Sequence, residues 1–157
     1  NGGFPFQLYV RECRRMVGKY VMTQEDVQGK CGDAEASVIG LGSYALDCHF
    51  VNYVAVPDGV MIEGGMFVGT KPYPVAYGTI LPKENECVNL LVPVCMSASH
   101  VAYSSLRMEP VYMVLGQSAA IAAVLSLKIR CIPQALDYKA LRESLVANGQ
   151  ILEYPRK

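Results

Sequence analysis

The sequence carries little charge for its length and no excess of either sign. Charged residues make up 18% of its 157 residues, and 14 lysines and arginines balance 14 aspartates and glutamates. Nucleic-acid binding requires a basic surface, and the one basic cluster is the short run RECRR at 11–15. The composition therefore argues against nucleic acid as a partner.

The shortage of charge is matched by an excess of apolar residues. Ordinary soluble domains contain roughly 25% charged residues, whereas apolar residues make up 52% of this chain. A large buried interface or a membrane would account for that balance. The longest apolar run, from Val111 to Leu127, includes Gly116 and Gln117 and is short for a bilayer. We therefore expect a fully buried helix there rather than a membrane-spanning one.

The six cysteines include no C-x-x-C pair, so the sequence lacks the ligand spacing of a zinc site. Proteins held together by disulfides are usually smaller and denser in cysteine. We expect most of the cysteines to be buried thiols, which pack as small apolar residues. A secretion signal, with a basic start and an apolar core, is not expected from the first residues.

The hydrophobic patterns alternate between helical and strand periodicity, which predicts a mixed α+β fold. Proline is favoured in the first turn of a helix, and glycine commonly follows its end. We predict helices at 7–20, 23–26, 110–127 and 132–149. Runs of β-branched and aromatic residues predict two or three strands within 38–61, around the Pro-Asp-Gly turn at 57–59, and short strands near 66–68, 74–80 and 90–95.

A glycine pattern at 37–45, SVIGLGSYA, imitates a dinucleotide-binding loop. Gly40, Gly42 and Ala45 have the G-x-G-x-x-A order, and Glu63 follows at about the distance of the ribose-binding acid. Such a loop needs a long helix directly after the glycines, because the pyrophosphate lies on the N-terminus of that helix. The residues that follow, LDCHFVNYVAV, favour strands instead. We therefore predict no dinucleotide site at these glycines.

The most informative segment is NLLVPVCMSASHVAYSSLRMEPVYMVLGQSAAIAA at 89–123. In it, a polar turn with a histidine and an arginine leads directly into a proline-led helix of small residues. Free N–H groups and about half a positive charge at a helix start attract an anion or an electron-rich ligand. A core helix that follows an ordinary loop would give the same pattern.

This segment resembles the C-terminal flavin-binding segment of FAD-dependent oxidoreductases with the glutathione-reductase or succinate-dehydrogenase type of nucleotide fold. In that family the order NLLV, a strand, SATH or SASH, Ser-x-Arg, a proline and then LGQ with alanines recurs. Segments at 8–27, 39–51, 72–83 and 137–150 are similar to family segments in the same order. The glycine-rich loop that binds the ADP part of FAD has no counterpart here. The resemblance thus implies the C-terminal portion of such an enzyme.

The resemblance also implies where FAD would bind. The start of the predicted 110–127 helix would face the pyrimidine edge of the flavin, where negative charge gathers on reduction. Arg107 would hold an anion or a carbonyl oxygen beside it; the alternative is a surface ion pair, with Glu109 as the candidate partner. The cofactor-binding residues implied by the family are Ser99, Arg107, Met108, Glu109, Pro110 and Val111.

His49, His100 and Arg107 are the catalytic candidates. A histidine beside a flavin can bind or protonate substrate, because imidazole titrates near neutral pH. Asp47 lies two residues before His49 on a predicted strand, so the two side chains would share a face. Tyr73 and Tyr77 are expected to help wall the flavin or substrate pocket. Purely structural roles, as backbone-bonded histidines or core tyrosines, are the alternatives.

The implied architecture is α+β, with short mixed strands of a substrate domain and a strand-elbow-helix unit of an FAD domain. Residues 1–88 would form part of the substrate-binding domain, and residues 89–157 the C-terminal part of the FAD-binding domain with its closing helix. The expected partners are a small-molecule substrate and either a missing N-terminal FAD-binding half or a second copy; neither nucleic acid nor a membrane is expected. FAD is expected for the full-length family and not for this chain alone. A non-catalytic remnant or binding module that has lost the cofactor is the alternative function.

Overall fold

A computed structural model describes residues 2–4, 6, 12–30 and 34–154. Within these residues it contains helices α1 (Gln24–Val27), α2 (His100–Leu106), α3 (Glu109–Ile129) and α4 (Tyr138–Ala147), and strands β1 (Val38–Gly42), β2 (Leu46–Cys48), β3 (Asn52–Val56), β4 (Gly59–Glu63), β5 (Met66–Val68) and β6 (Tyr73–Ala76). The strands pair antiparallel in three two-stranded sheets, β1 with β6, β2 with β5 and β3 with β4. The predicted α+β class is confirmed.

The core lies where the β1–β6 sheet packs against α3 and α4. Leu115 of α3 and Leu141 and Leu145 of α4 are fully buried there. Gly40 of β1 allows the close approach of α3, because a Cβ at this position would collide with the side chain of Val114. Side-chain hydrogen bonds also connect α3 and α4 to carbonyl groups of β1. The closing helix therefore buries one of its sides in the core.

Direct hydrogen bonds fasten the helices to the edge of β1. The Ser118 hydroxyl of α3 donates to the Ile39 carbonyl at 2.5 Å, and the Tyr138 hydroxyl of α4 donates to the Val38 carbonyl at 2.9 Å. Such bonds satisfy strand carbonyls that a two-stranded sheet leaves without a ladder partner. They hold α3 and α4 against the same strand.

The helix predicted at 7–20 is wrong over residues 12–20, and residues 7–11 lie outside the described residues. The segment is extended, and its backbone pairs with distant parts of the chain: Met16 N–H donates to the Cys95 carbonyl at 2.9 Å, and Lys19 N–H to the Leu81 carbonyl at 2.9 Å. Gly18 lies so close to Leu81 that a Cβ would collide with its carbonyl oxygen. These long-range contacts replace the i to i−4 bonds that the apolar spacing predicted.

The strand predicted at 90–95 is also wrong, since the residues form bends without a ladder. Pro93 has no N–H to donate, although Val92 N–H still donates to the Ile80 carbonyl at 2.9 Å. The strand predicted at 74–80 is confirmed only in its first half, because Tyr77–Ile80 form a 3₁₀ turn after β6. The strand at 66–68 is confirmed, and 38–63 holds four strands rather than two or three.

The helices predicted at 23–26 and 110–127 are confirmed, whereas the helix predicted at 132–149 is confirmed only over Tyr138–Ala147, because Pro133–Ala135 form a separate 3₁₀ turn. Thr23 and Asp26 form a capping box at α1, and α4 ends before Gly149, which has a φ of 76°. The prediction of a fully buried helix at 110–127 is wrong: α3 is buried along one side, while Met113 and Leu127 are 73% and 79% exposed. Its apolar residues occur on every face, so one layer of core cannot cover them all.

The glycines at 37–45 lie in β1, without the helix that a dinucleotide-binding loop needs directly after them. β1 leads through a short connection into β2, and no helix follows Gly42. A Cβ on Gly42 would collide with the ring of Tyr73, so this glycine makes room for a neighbouring side chain. The pattern reflects packing between strands.

The prediction that most cysteines are buried is wrong for those that the structure describes. Cys48 is buried, Cys87 and Cys131 are half-buried, and Cys13 and Cys95 are exposed, all as free thiols. Residue 31 lies outside the described residues. The exposed thiols belong to the two extended segments that were predicted as a helix and a buried strand.

Candidate active site around the turn between α2 and α3

The polar segment before α3 folds into a helix of its own, which sequence patterns did not predict. The Ser99 hydroxyl caps α2 by accepting from the Ala102 N–H, and His100 is the first residue of the helix. Arg107 ends α2, and Met108 begins α3. His100 and Arg107 therefore lie at opposite ends of one short, well-anchored helix.

Arg107 is buried, with 5% of its side chain exposed, and lies between two carboxylates. Its Nη2 donates to the Asp47 carbonyl at 2.8 Å and lies 3.8 Å from Asp47 Oδ2, and its Nε lies 3.8 Å from Glu12 Oε1. Nε is shielded from solvent without a hydrogen-bond partner among the described residues. The alternative of a surface ion pair with Glu109 is wrong in both respects, since Arg107 is buried and pairs with Glu12 and Asp47.

Glu12 is the carboxylate that joins the two ends of α2. Its Oε2 lies 2.8 Å from His100 Nδ1 and 3.1 Å from Arg15 Nη1, and its Oε1 faces Arg107. Arg15 is held in turn by the Ala98 carbonyl at 3.1 Å and stacks 4.9 Å from the Tyr103 ring centre. Sequence reasoning missed Glu12, because its partners lie far away along the chain and no local pattern links them.

His49 and Asp47 come together at the end of β2 as their spacing predicted, with 3.7 Å between His49 Nε2 and Asp47 Oδ2. Asp47 also accepts a hydrogen bond from the Tyr44 hydroxyl at 3.3 Å. The His49 side chain is 47% exposed. Arg107 is thus flanked by two histidine–carboxylate pairs, one formed by His49 with Asp47 and the other by His100 with Glu12.

The N-terminus of α3 is open. Tyr112 N–H is the first to bond back along the helix, to the Met108 carbonyl at 3.0 Å, so the amides of Glu109 and Val111 precede the intrahelical ladder. Met108 provides no side-chain cap. Glu109 and Pro110 are exposed while Val111 is buried. This end therefore presents free N–H donors and the positive end of the helix dipole to any ligand beside it.

Tyrosines surround the base of this turn as neutral hydrogen-bonding groups. The hydroxyls of Tyr103 and Tyr112 lie 2.9 Å apart, and Tyr103 donates to the Val94 carbonyl at 3.1 Å. Burial, followed by the hydrogen bond with Tyr103, raises the pKa of Tyr112 above its ordinary value. The Tyr112 phenol therefore stays protonated at neutral pH, and its contact with Tyr103 holds α2 against α3.

Tyr73 supports the Asp47 side of the turn. Its hydroxyl lies 2.6 Å from Ser105 Oγ, and Ser105 donates to the Tyr44 carbonyl. Burial raises the pKa of Tyr73 to about 12, although the Ser105 hydrogen bond works against the shift. Tyr73 also lines an open groove of about 1340 Å³ between α1, the β1–β6 sheet and α4. That groove is lined by neither histidine, nor by Arg107.

Tyr77 is a core residue, 5% exposed, whose hydroxyl donates to the Pro133 carbonyl at 3.0 Å. Its ring does not line the groove that Tyr73 reaches. Among the described residues no group of three or more histidine, cysteine, aspartate or glutamate side chains has the arrangement of a metal site. The same residues include one helix, α3, that is long and apolar enough to cross a bilayer by length and composition alone.

The chain matches the family model described as FAD dependent oxidoreductase over residues 2–145. It belongs to the FAD-dependent oxidoreductase family. The match spans the segments that hold Glu12, His49, His100 and Arg107, so the whole cluster lies inside the family region. No match was found among curated proteins or among solved structures.

Proposed function

We propose that this chain is the C-terminal portion of an FAD-dependent oxidoreductase, in which a hydride passes between a small-molecule substrate and flavin N5. Family membership supports the cofactor. The observation that carries the proposal is the open N-terminus of α3 beside the buried guanidinium of Arg107. Bound FAD would supply the hydride acceptor or donor; the residues of this chain would bind and orient the reacting groups.

The donor set at this turn suits the electron-rich edge of a flavin. The amides of Glu109 and Val111 have no intrahelical acceptor, and Nε of Arg107 is a shielded donor without a hydrogen-bond partner within the described part of the chain. Donors of this kind stabilise negative charge that develops on a ring carbonyl or nitrogen. Met108 and Pro110 would shape the backbone, and Ser99 would act indirectly, since its hydroxyl is used to cap α2.

His100, His49 and Arg107 are the proposed catalytic residues. Arg107 would hold a carbonyl or anionic group next to the flavin, with Glu12 and Asp47 fixing its orientation. His100 would accept or donate a proton at the substrate atom next to the one that exchanges the hydride. His49 is the more exposed candidate and would act at the outer side of the same site.

The proposed division places residues 1–88 in the substrate-binding domain and residues 89–157 in the FAD-binding domain. The half that grips the ADP part of FAD would come from residues outside this chain or from a partner chain. Exposed large apolar side chains support the presence of such a half, which would cover them. They include Tyr53 and Val60 of the β3–β4 hairpin and Met113 and Leu127 of α3. A two-stranded hairpin exposed on both faces is marginal without a cover.

The experiment is to purify the product of the complete reading frame that contains this sequence and to record its visible absorbance. We expect the two-band spectrum of oxidised flavin, and bleaching of the longer-wavelength band when the cognate substrate class or dithionite is added. The isolated chain, prepared in parallel, should remain colourless after incubation with FAD. A complete product that is colourless and takes up no added FAD would contradict the proposal.

The second candidate function is a non-catalytic remnant or binding module that has lost the cofactor. It is favoured by the way Arg107 and Ser99 are already engaged by protein groups, which is what a purely structural turn requires. The two candidates differ in one observable. In the remnant, replacement of Arg107 changes stability only; in the enzyme, it also changes flavin affinity.

A further inference from the structure

The strongest unassigned feature of the molecule is the carboxylate of Glu12. It is 19% exposed and lies within ion-pairing distance of His100, Arg15 and Arg107. Two arginines alone would suffice to neutralise it. Its closest contact is nevertheless with the histidine, at 2.8 Å from Nδ1.

This contact decides which ring nitrogen of His100 carries the proton. A carboxylate only accepts hydrogen bonds, so Nδ1 must donate to Glu12 Oε2. In the neutral imidazole, the lone pair is then left on Nε2. Free histidine prefers the opposite arrangement, so the tautomer is a property that Glu12 imposes.

The other nitrogen is placed to receive a ligand. His100 Nε2 is shielded from solvent and has no hydrogen-bond partner within the described residues. A shielded acceptor without a donor costs free energy, which a donor from a bound molecule restores. Besides His100, the charged groups next to Glu12 are Arg15 and Arg107, with Asp47 beyond Arg107.

We infer that Glu12 is a positioning residue which holds His100 in the Nδ1–H tautomer, so that Nε2 accepts a hydrogen bond or a proton from a substrate O–H or N–H group. The substrate class is therefore an alcohol or an amine rather than a plain hydrocarbon. For an alcohol, the O–H proton would move to His100 Nε2 and the carbon–oxygen double bond would form, while FAD, when bound, would accept the hydride from the C–H bond. This role rests on the proposed function, but the tautomer itself does not.

The test determines the tautomer of His100 in the absence of flavin. The full chain carrying His49→Asn leaves His100 as its one histidine, so long-range proton–nitrogen correlation spectra of the labelled protein need no further assignment. In spectra recorded over a series of pH values, we expect a pyrrole-type signal for Nδ1 and a pyridine-type signal for Nε2 wherever one ring nitrogen carries no proton. Glu12→Ala should lose this pattern in favour of the opposite tautomer.

Two further variants separate tautomer control from folding. Glu12→Gln keeps an acceptor oxygen in reach and should rescue the Nδ1–H pattern, while Glu143→Gln, at an exposed position of α4, should leave it unchanged. If Glu12→Ala fails to fold, the spectra of the parent and of Glu12→Gln still show which tautomer His100 adopts. A pyridine-type Nδ1 in the parent, or a tautomer that Glu12→Ala leaves unchanged, would overturn the inference. Because no flavin is present, these outcomes are independent of whether the complete protein binds FAD.

Discussion

The two histidine–carboxylate pairs on either side of Arg107 differ in how firmly they are held. Glu12 lies 2.8 Å from His100 Nδ1, within hydrogen-bond distance, whereas Asp47 lies 3.7 Å from His49 Nε2. The close pair joins residues that are far apart in sequence; the loose pair joins neighbours on one strand. Spacing along a strand therefore brings side chains to the same face, while long-range packing fixes the hydrogen bond. We therefore expect substitution of Glu12 to disturb the site more than substitution of Asp47.

Removing Arg107 should take away the cation that both pairs share and give the largest effect. In Arg107→Ala, Glu12 loses one of its cations, Asp47 loses its only arginine among the described residues, and the hydrogen bond to the Asp47 carbonyl is gone. Breaking a buried pair by removing one partner costs about 3–5 kcal/mol of unfolding free energy, measured by urea denaturation. Arg142→Ala is the matched control, because its pair with Glu153 is exposed and should cost less than about 1 kcal/mol. Equal losses in the two variants would contradict the central place of Arg107.

Neutralising each carboxylate separately should show which pair matters more. Glu12→Gln removes charge-assisted contacts to His100 and Arg15 and should cost about 1.5–3 kcal/mol. Asp47→Asn keeps the backbone carbonyl that Arg107 uses and should cost less than about 1 kcal/mol. Urea denaturation of both variants at neutral pH gives the comparison directly. A larger loss for Asp47→Asn would reverse the ranking of the two pairs.

Tyr73 supports the Asp47 side of the turn, and its hydroxyl makes the stability of the fold depend on pH. Its ordinary pKa is 10.0 and its folded pKa is about 12, so between these values the unfolded chain binds fewer protons than the folded one. Stability is then fully present below pH 10 and falls as pH rises toward 12, by at most about 1.4 kcal/mol per pH unit for this group. Tyr77, Tyr112 and Tyr138 shift in the same direction.

The variant Tyr73→Phe isolates this contribution. At neutral pH it should cost about 1 kcal/mol, because Ser105 loses a hydrogen-bond partner. Above pH 10 its stability should fall less steeply than that of the parent, measured as denaturation midpoints across the pH range. Parallel pH profiles for the two proteins would show that the Tyr73 hydroxyl is not the group responsible.

The sequence predicted the parts of the fold that depend on local patterns. The short helix α1, the turn at Pro57 and the helix α4 each arise from residues close together in the chain, and the structure contains all three. The family resemblance placed Arg107 directly before the long helix, where it lies. These features need no knowledge of the rest of the molecule.

The remainder depends on contacts between distant segments. Residues 12–20 have helical apolar spacing, yet their backbone bonds go to residues 78–95, and no local signal could show this. The same packing brings Glu12 to His100, so the key carboxylate of the site was not identified. His100 itself was recognised, but the α2 helix that carries it was not, because the histidine, valine, tyrosine and two serines among its seven residues have weak helical preference.

The most direct test of the central claim is the reduction potential of the bound flavin in the complete protein. If the N-terminus of α3 faces the flavin, the exposed carboxylate of Glu109 disfavours the negatively charged reduced form. Glu109→Gln should then raise the midpoint potential by roughly 5–20 mV, from an interaction of about 0.3–1 kcal/mol. Glu143→Gln should leave it unchanged. Equal potentials in the parent and both variants would contradict a flavin at this helix start.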